Sequence, residues 1–315
     1  MRSGAKHALA VGVCLGCNLV VTAIARAAAA EEGFNYPNGA LATFGVAGTN
    51  TNASTGTAWN FNRSTSATTG AQVVTGDLAY PAYTGLTAAT DGHAARPTGA
   101  TYPGNGYDAL ALTTPYTQAA YYSLVLNVTD ISGQNFARGA NGSFFAGLFN
   151  NSVPPTADAN VGAGLDIKSP DNSPTASTAT RYILGVQAPN VAAASRAFDN
   201  ATTFVQGESV FLVVEYLFND AGADAVNLYL NPAFATLGAA PPVTPNATSS
   251  GDFTGNQNVQ SFVLRSNSTL PFGVTVDNVR VGDTWASVTS VPEPATAGAL
   301  CILGVRLLAR KRRRR

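Results

Sequence analysis

Short segments rich in β-branched and aromatic residues recur in the chain, and each is bounded by Asn, Asp, Gly, Pro or Ser. Runs of this composition form strands, and no long stretch shows a helical period with capping residues, so the sequence predicts an all-β fold. The run Phe211–Val214 is apolar on both faces, which is typical of a strand inside a sandwich. The predicted strands are Tyr121–Val128, Ser143–Phe149, Arg181–Val186, Ser209–Phe218, Ala225–Leu230, Gln260–Leu264 and Phe272–Val281.

The connections between these runs are long and polar, as in Thr49–Gly70 and Asp171–Thr180. Pro241–Gly255 contains three prolines among small residues and is predicted to be an insertion rather than a linker. No internal repeat is visible, so a solenoid or a propeller is not expected. The sequence therefore predicts one domain at residues 31–290.

Residues 1–30 have the order of a secretory signal peptide, with a basic start, an apolar stretch from Ala8 to Ala25 and small residues before Glu31. We expect a signal helix, export through Sec-type machinery and cleavage between Ala30 and Glu31. An uncleaved anchor is the alternative, since the apolar stretch is long and contains Asn18.

Cysteine is confined to the two ends of the chain. Cys14 and Cys17 lie in the N-terminal apolar stretch, and Cys301 lies in a C-terminal one. The predicted body therefore has no disulfide, thiol nucleophile or cysteine-bound zinc, and its stability must come from core burial.

The C-terminal segment has three parts. A Pro-Glu-Pro segment is held extended by its prolines, which also remove two backbone donors and keep it out of a sheet. The apolar run Ala297–Ala309, interrupted by Arg306, follows it, and a basic stop that favours the cytoplasmic side of a membrane ends the chain. The first part is Val291, Pro292, Glu293, Pro294, Ala295 and Thr296, and the last is Arg310, Lys311, Arg312, Arg313, Arg314 and Arg315.

This order resembles the PEP-CTERM sorting signal of Gram-negative, exopolysaccharide-producing bacteria. The resemblance covers residues 291–315 and implies a short hydrophobic helix, transient membrane anchoring and cutting near the Pro-Glu-Pro segment by an exosortase. It also implies a location at the cell surface or in the extracellular matrix. At about 1.5 Å per residue the apolar run gives a helix of roughly 20 Å, which is short for a hydrocarbon core of about 30 Å.

Several segments of the body resemble concanavalin A-like, laminin-G-type jelly rolls. The resemblance implies an antiparallel β-sandwich with a carbohydrate-binding or adhesive role and, in some members, a bound calcium ion. The segments are Glu32–Tyr36, Asp77–Pro81, Val210–Phe218, Val226–Pro232 and Val276–Trp285.

The charge of the body argues against nucleic acid as a partner. Residues 31–290 hold eight basic and seventeen acidic residues, a net charge of −9, whereas the other basic residues lie at the two ends. Binding to phosphates needs a clustered positive surface, which this composition does not indicate.

Glycoside hydrolysis with retention needs two carboxylates about 5–5.5 Å apart. The one-strand patterns Glu-x-Asp-x-Glu and Glu-x-Asp-x-x-Glu do not occur. Glu208 and Glu215 are an odd number of positions apart, so on one strand they face opposite sides, and Glu215 is expected to be solvated on a convex face. His93, the sole histidine of the body, is expected in a turn. We therefore expect a non-enzymatic protein that binds polysaccharide or forms matrix material; the alternative is a degenerate or unusual glycoside hydrolase on the same fold.

Two groups of residues are candidates for ligand binding. Aromatic rings in or beside N-terminal loops could stack on sugars, whereas Trp285 in the last predicted strand is expected to be structural. The candidate rings are Trp59, Tyr80, Tyr83 and Tyr102. Asn219, Asp220 and Asp224 place oxygen atoms in one short loop that could bind calcium, although a plain hairpin turn accounts for the same residues.

Overall fold

Strands dominate the computed structural model. It describes residues 30–34, 39–41, 59–63, 70–84, 86, 92–97, 106–131, 141–152, 161–170, 180–192, 195–253, 257–267 and 270–290. The strands are β1 Ala30–Glu32, β2 Gly39–Ala40, β3 Trp59–Arg63, β4 Gln72–Thr75, β5 His93–Arg96, β6 Gly106–Tyr116, β7 Ala119–Val128, β8 Ser143–Phe149, β9 Val161–Lys168, β10 Arg181–Gln187, β11 Ala197–Phe198, β12 Phe204–Val205, β13 Ser209–Leu217, β14 Ala225–Leu230, β15 Ala247–Ser250, β16 Val259–Ser266 and β17 Val274–Gly282. Within these described residues, one α-helix, α1, spans Trp285–Thr289, and 3-10 turns lie at Ala82–Thr84 and Phe234–Thr236.

The strands form two antiparallel sheets. Sheet I has the order β15-β14-β13-β7-β17-β5-β4-β2, with β1 also paired to β17. Sheet II has the order β11-β10-β9-β8-β16-β6-β3, with β12 also paired to β10. Neighbouring strands in each sheet are distant in the sequence at several positions, as where β16 lies between β6 and β8, so the fold rests on non-local pairing.

Alternation along the strands places one face of each sheet in a shared core. Tyr122, Leu124 and Leu126 of β7 face this core from sheet I, and Leu165 and Ile167 of β9 face it from sheet II. Two stacked sheets with interdigitated inner faces are a β-sandwich. Burial of the inner faces is the main source of stability, since the described body has no cysteine.

The outer face of sheet I is covered by α1 and by nearby turns. Trp285 and Val288 of the helix pack with Tyr121 and Val125 of β7 in a second apolar cluster. The Trp285 Nε1–H donates to the Thr236 carbonyl oxygen at 2.7 Å, which ties the 3-10 turn to the helix. Trp285 is therefore structural, as expected from the sequence.

The prediction of an all-β, antiparallel body is confirmed, and each predicted strand corresponds to a strand of the structure. Two predicted loops contain strands, since β3 lies in Thr49–Gly70 and β15 lies in Pro241–Gly255; their cross-strand pairing overrides a polar, turn-like composition. Strands β1, β2, β4, β5, β6, β9, β11 and β12 were also not predicted. His93 begins β5, directly after a turn at Gly92 with φ +84°.

The predicted signal helix belongs to residues 1–30, of which only Ala30 is described, in β1, and the predicted C-terminal helix at 297–309 lies outside the described residues. Within the described ranges, the helices are too short and too polar to cross a bilayer.

Candidate functional site

The outer face of sheet II carries charged side chains beside aromatic rings. Strand alternation sets this, because Leu165 and Ile167 of β9 point into the core and Asp166 and Lys168 therefore point outward. Arg181 begins β10 on the same outer side, since the next residue, Tyr182, is in the core.

Lys168 lies over an aromatic ring at the β11 edge of this face. Its Nζ atom is 4.2 Å from the centre of the Phe198 ring, a cation–π contact. Burial lowers the pKa of Lys168 from its ordinary value. The ring lies across β10 because position 185 is glycine: a Cβ there would approach Phe198 Cδ1 to 2.5 Å and the Ala197 carbonyl oxygen to 2.4 Å.

Arg196 and Asp166 form an ion pair at the same edge. The distance between Arg196 Nη1 and Asp166 Oδ1 is 2.7 Å, and the side chains are 10% and 0% exposed. The same nitrogen donates to the Gly142 carbonyl oxygen at 3.0 Å. The pair fixes the guanidinium of Arg196 at the rim of this face.

Arg265 of β16 lies deeper in the same face. Its guanidinium carbon is 5.9 Å from the Tyr107 ring centre and 5.7 Å from that of Phe144, and the residue is buried. The two rings hold the positive charge of Arg265 on the outer side of sheet II through cation–π contacts.

We call Lys168, Arg181, Arg196 and Arg265 the cationic face. These four are half of the eight basic residues between residues 31 and 290. Among the described residues of β6, β8, β9, β10 and β16, Asp166 is the carboxylate that points to this side. The described part of this face is therefore positive in a body whose net charge is −9.

Two of the aromatic candidates for sugar binding, Trp59 and Tyr80, are buried, so the prediction that they are available to a sugar was wrong. Trp59 is 4% exposed, packs between Phe34 and Phe262, and donates its Nε1–H to Glu32 Oε2 at 2.8 Å. Its strand β3 turns the ring into the core, so no sugar can stack on it.

Tyr80 is also unavailable to a sugar, because it is 7% exposed and packs edge-on against Phe211 at 5.2 Å. Burial raises the pKa of its hydroxyl to about 12. The backbone of Tyr83 lies in the turn Ala82–Thr84, and its side chain, like the whole of Tyr102, lies outside the described residues.

The predicted calcium loop is a hairpin turn between β13 and β14. Asp224 is 2% exposed; its Oδ1 accepts the Asn219 N–H at 2.7 Å and its Oδ2 accepts the hydroxyl of Tyr216. Asn219 Oδ1 accepts the Ala221 N–H at 3.2 Å, and Asp220 is exposed. Within the described ranges, no three histidine, cysteine or acidic side chains converge as metal ligands would.

Glu215 is not solvated, contrary to the expectation from the sequence. It is 4% exposed and accepts hydrogen bonds from the Tyr121 hydroxyl at 2.6 Å, the Tyr229 hydroxyl at 2.9 Å and Asn227 Nδ2 at 2.8 Å. Alternation does place it on the outer face of sheet I, but α1 and its neighbouring turn cover that face. Its oxygen atoms are satisfied, which marks it as structural.

The remaining sequence-predicted residues lie at the ends. Ala30 is buried in β1 opposite Val281, and Glu31 lies opposite Arg280. The Pro-Glu-Pro segment Val291–Thr296 and the basic stop Arg310–Arg315 lie outside the described residues. Signal cleavage between Ala30 and Glu31, and sorting through Val291–Thr296, stay predictions.

The sequence did not single out the cationic face, although one signal was present. The segment Leu165-Asp166-Ile167-Lys168 alternates apolar and charged residues, as a half-buried strand does. The glycines at 162 and 164 lower its strand propensity and masked it. Arg196 gave no signal, because only the fold brings it to Asp166.

No protein-family model and no curated protein sequence matches the chain. Among solved structures it is similar to the alginate lyase Aly36B, at 13% identity and a TM-score of 0.40 over 80% of this chain and 95% of that one. It is also similar to the glucuronan lyase of the fungus Trichoderma reesei, at 13% identity and a TM-score of 0.34 over 73% of this chain and 89% of that one.

The VIP36 exoplasmic/lumenal domain in its calcium- and Man3GlcNAc-bound form is similar at 10% identity, with a TM-score of 0.35 over 71% of this chain and 85% of that one. These likenesses concern the fold.

The comparison corrects one expectation. The sequence predicted a non-enzymatic protein, and solved structures of similar architecture include two polysaccharide lyases. The reason for the error is chemical: a missing carboxylate pair speaks against glycoside hydrolysis, retaining or inverting, whereas a lyase cleaves by elimination. The non-enzymatic prediction is therefore withdrawn.

Proposed function

We propose that this is an exported cell-surface protein whose cationic face binds an anionic polysaccharide. The observation that supports this proposal is the position of four basic residues on one face of a body with a net charge of −9. They are Lys168, Arg181, Arg196 and Arg265. A polyanion is repelled by an acidic surface and attracted by a positive one, so it docks there in one orientation.

The chemistry of the face suits carboxylated sugars. The planar guanidinium of arginine binds a carboxylate through two parallel hydrogen bonds, and a lysine ammonium adds a point charge. Phe198 is half-buried and holds the ammonium group of Lys168 in position through the cation–π contact. A uronic acid polymer presents a carboxylate on successive residues and is the ligand class that matches.

The surface location rests on the two ends of the sequence. The order of basic, apolar and small residues in 1–30 supports export, and the Pro-Glu-Pro segment, apolar run and basic stop support exosortase processing. Exopolysaccharide outside the cell is then within reach of the cationic face.

The experiment is a binding measurement with full-length protein purified in detergent. Lys168→Ala with Arg181→Ala should weaken binding to alginate, a polyuronate, by at least an order of magnitude. The control variant, Ala239→Asp with Ala240→Asp, changes net charge equally on an exposed loop over sheet I and should bind almost normally. Equal loss in both variants would mean that net charge, and not this face, governs binding.

A further inference from the structure

Arg280 of β17 connects the first and last described parts of the body. Its Nη2 and Nε atoms lie 3.0 and 3.1 Å from Glu31 Oε1, and its Nη1 donates to the Ser290 carbonyl oxygen at 2.8 Å. The arginine side chain is 9% exposed, whereas that of Glu31 is 54% exposed.

The contact of Arg280 joins the two places in the chain where processing is expected. Glu31 follows Ala30, where we expect signal cleavage, and Ser290 immediately precedes the Pro-Glu-Pro segment. One guanidinium therefore holds both the start of β1 and the end of the chain segment that follows α1. The two expected processing points leave the sandwich side by side.

The ion pair and the carbonyl contact share one side chain, so each depends on the other. Pairing of β1 with β17 places Glu31 opposite Arg280, and Glu31 then fixes the guanidinium that restrains Ser290. A free guanidinium would lose side-chain entropy to reach Ser290 by itself.

We propose that Arg280 is a positioning residue that couples the two ends and protects the backbone at Ser290 from proteolysis while β1 is in place. The protected bond lies just before the segment that an exosortase would cut. This role rests on the proposed export and processing, but its test does not involve polysaccharide or exosortase, so the two proposals fail independently.

The test is limited digestion of full-length protein in detergent by proteinase K, with cut sites mapped by mass spectrometry. Arg280→Gln should speed cutting around Ser290 several-fold. Glu31→Gln should speed it in the same direction, although it leaves Arg280 intact. Arg181→Gln, a surface arginine of sheet II, is the control and should digest at the wild-type rate.

Unchanged cutting around Ser290 in both end variants would overturn the proposal. Faster cutting in Arg280→Gln with no effect of Glu31→Gln would also overturn it, because the ends would then not be coupled. If Arg280→Gln does not fold, as judged by its melting curve, Glu31→Gln decides the question by itself.

Discussion

The ammonium nitrogen of Lys168 lies 4.2 Å above the centre of the Phe198 ring, at the edge of the outer face of sheet II. The ring packs closely against Gly185 of β10, so the lysine lies over a ring that is itself in contact with the sheet. This contact places one charge of the cationic face in a defined position before any ligand arrives.

Gly185 should not tolerate a side chain. A Cβ there would meet the Ala197 backbone at 2.4 Å and Phe198 at 2.5 Å, so Gly185→Ala should destabilise the fold by about 1–3 kcal/mol and displace the ring. Gly222→Ala, whose Cβ would meet only the end of Asn219 at 3.2 Å, should be nearly neutral. Urea denaturation of both variants measures this, and equal midpoints would refute the packing described for Phe198.

Removing one partner of the Arg196–Asp166 ion pair should lower the free energy of unfolding substantially. Asp166→Asn leaves a guanidinium in a largely buried place without its counter-charge, and we expect a loss of roughly 3 kcal/mol in the free energy of unfolding. Arg181→Gln, which removes an exposed hydrogen bond to Thr203, should cost less than about 0.5 kcal/mol. A loss for Asp166→Asn as small as that of the control would show that the pair is not buried in solution.

Asp108 should make stability depend on pH. Its side chain lies in the core with Oδ2 accepting the Ala71 N–H at 2.6 Å, and burial raises its pKa from 3.8 to about 8. The folded state therefore holds a proton that the unfolded state has released, so its contribution to stability is complete below pH 3.8 and is lost as pH rises through about 8.

Asp108→Asn should flatten that part of the stability curve between about pH 4 and pH 8, as measured by denaturation at a series of pH values. Asp220→Asn, at an exposed position, should leave the slope unchanged. A wild-type slope retained in Asp108→Asn would assign the pH dependence to other groups.

Asp224 should stabilise the β13–β14 turn without calcium. Because its carboxylate is buried and accepts two hydrogen bonds, Asp224→Ala should cost about 1–3 kcal/mol even in chelator, whereas Asp220→Ala should not. Thermal melting in chelator and in millimolar calcium tests both points. A wild-type melting temperature that rises with calcium, and a rise that Asp224→Ala abolishes, would restore the loop as a metal site.

Part of this structure could be predicted from local sequence. Strands such as Ser143–Phe149 and Ala225–Leu230 are dense in strand-forming residues, and their bounds agree with the prediction. Strand β9 was not predicted because Gly162 and Gly164 carry no side chain that favours a strand. In the fold, pairing with β8 and β10 compensates for this low strand propensity.

The environment of Glu215 could not be predicted from its strand. Alternation gives its face correctly, but the three donors come from β7 and β14, and the cover comes from residues far along the chain. The cationic face has the same origin, since Lys168, Arg196 and Arg265 are brought together only when β9, β11 and β16 join one sheet.

The measurement that tests the central claim most directly is calorimetric titration of the full-length protein with alginate and with the same polymer after reduction of its carboxyl groups. The two ligands share a backbone and differ in charge. We predict binding of the polyuronate that weakens steadily with added salt, and little binding of the neutral polymer. Equal binding of both polymers, or polyuronate binding that salt does not change, would contradict recognition by the cationic face.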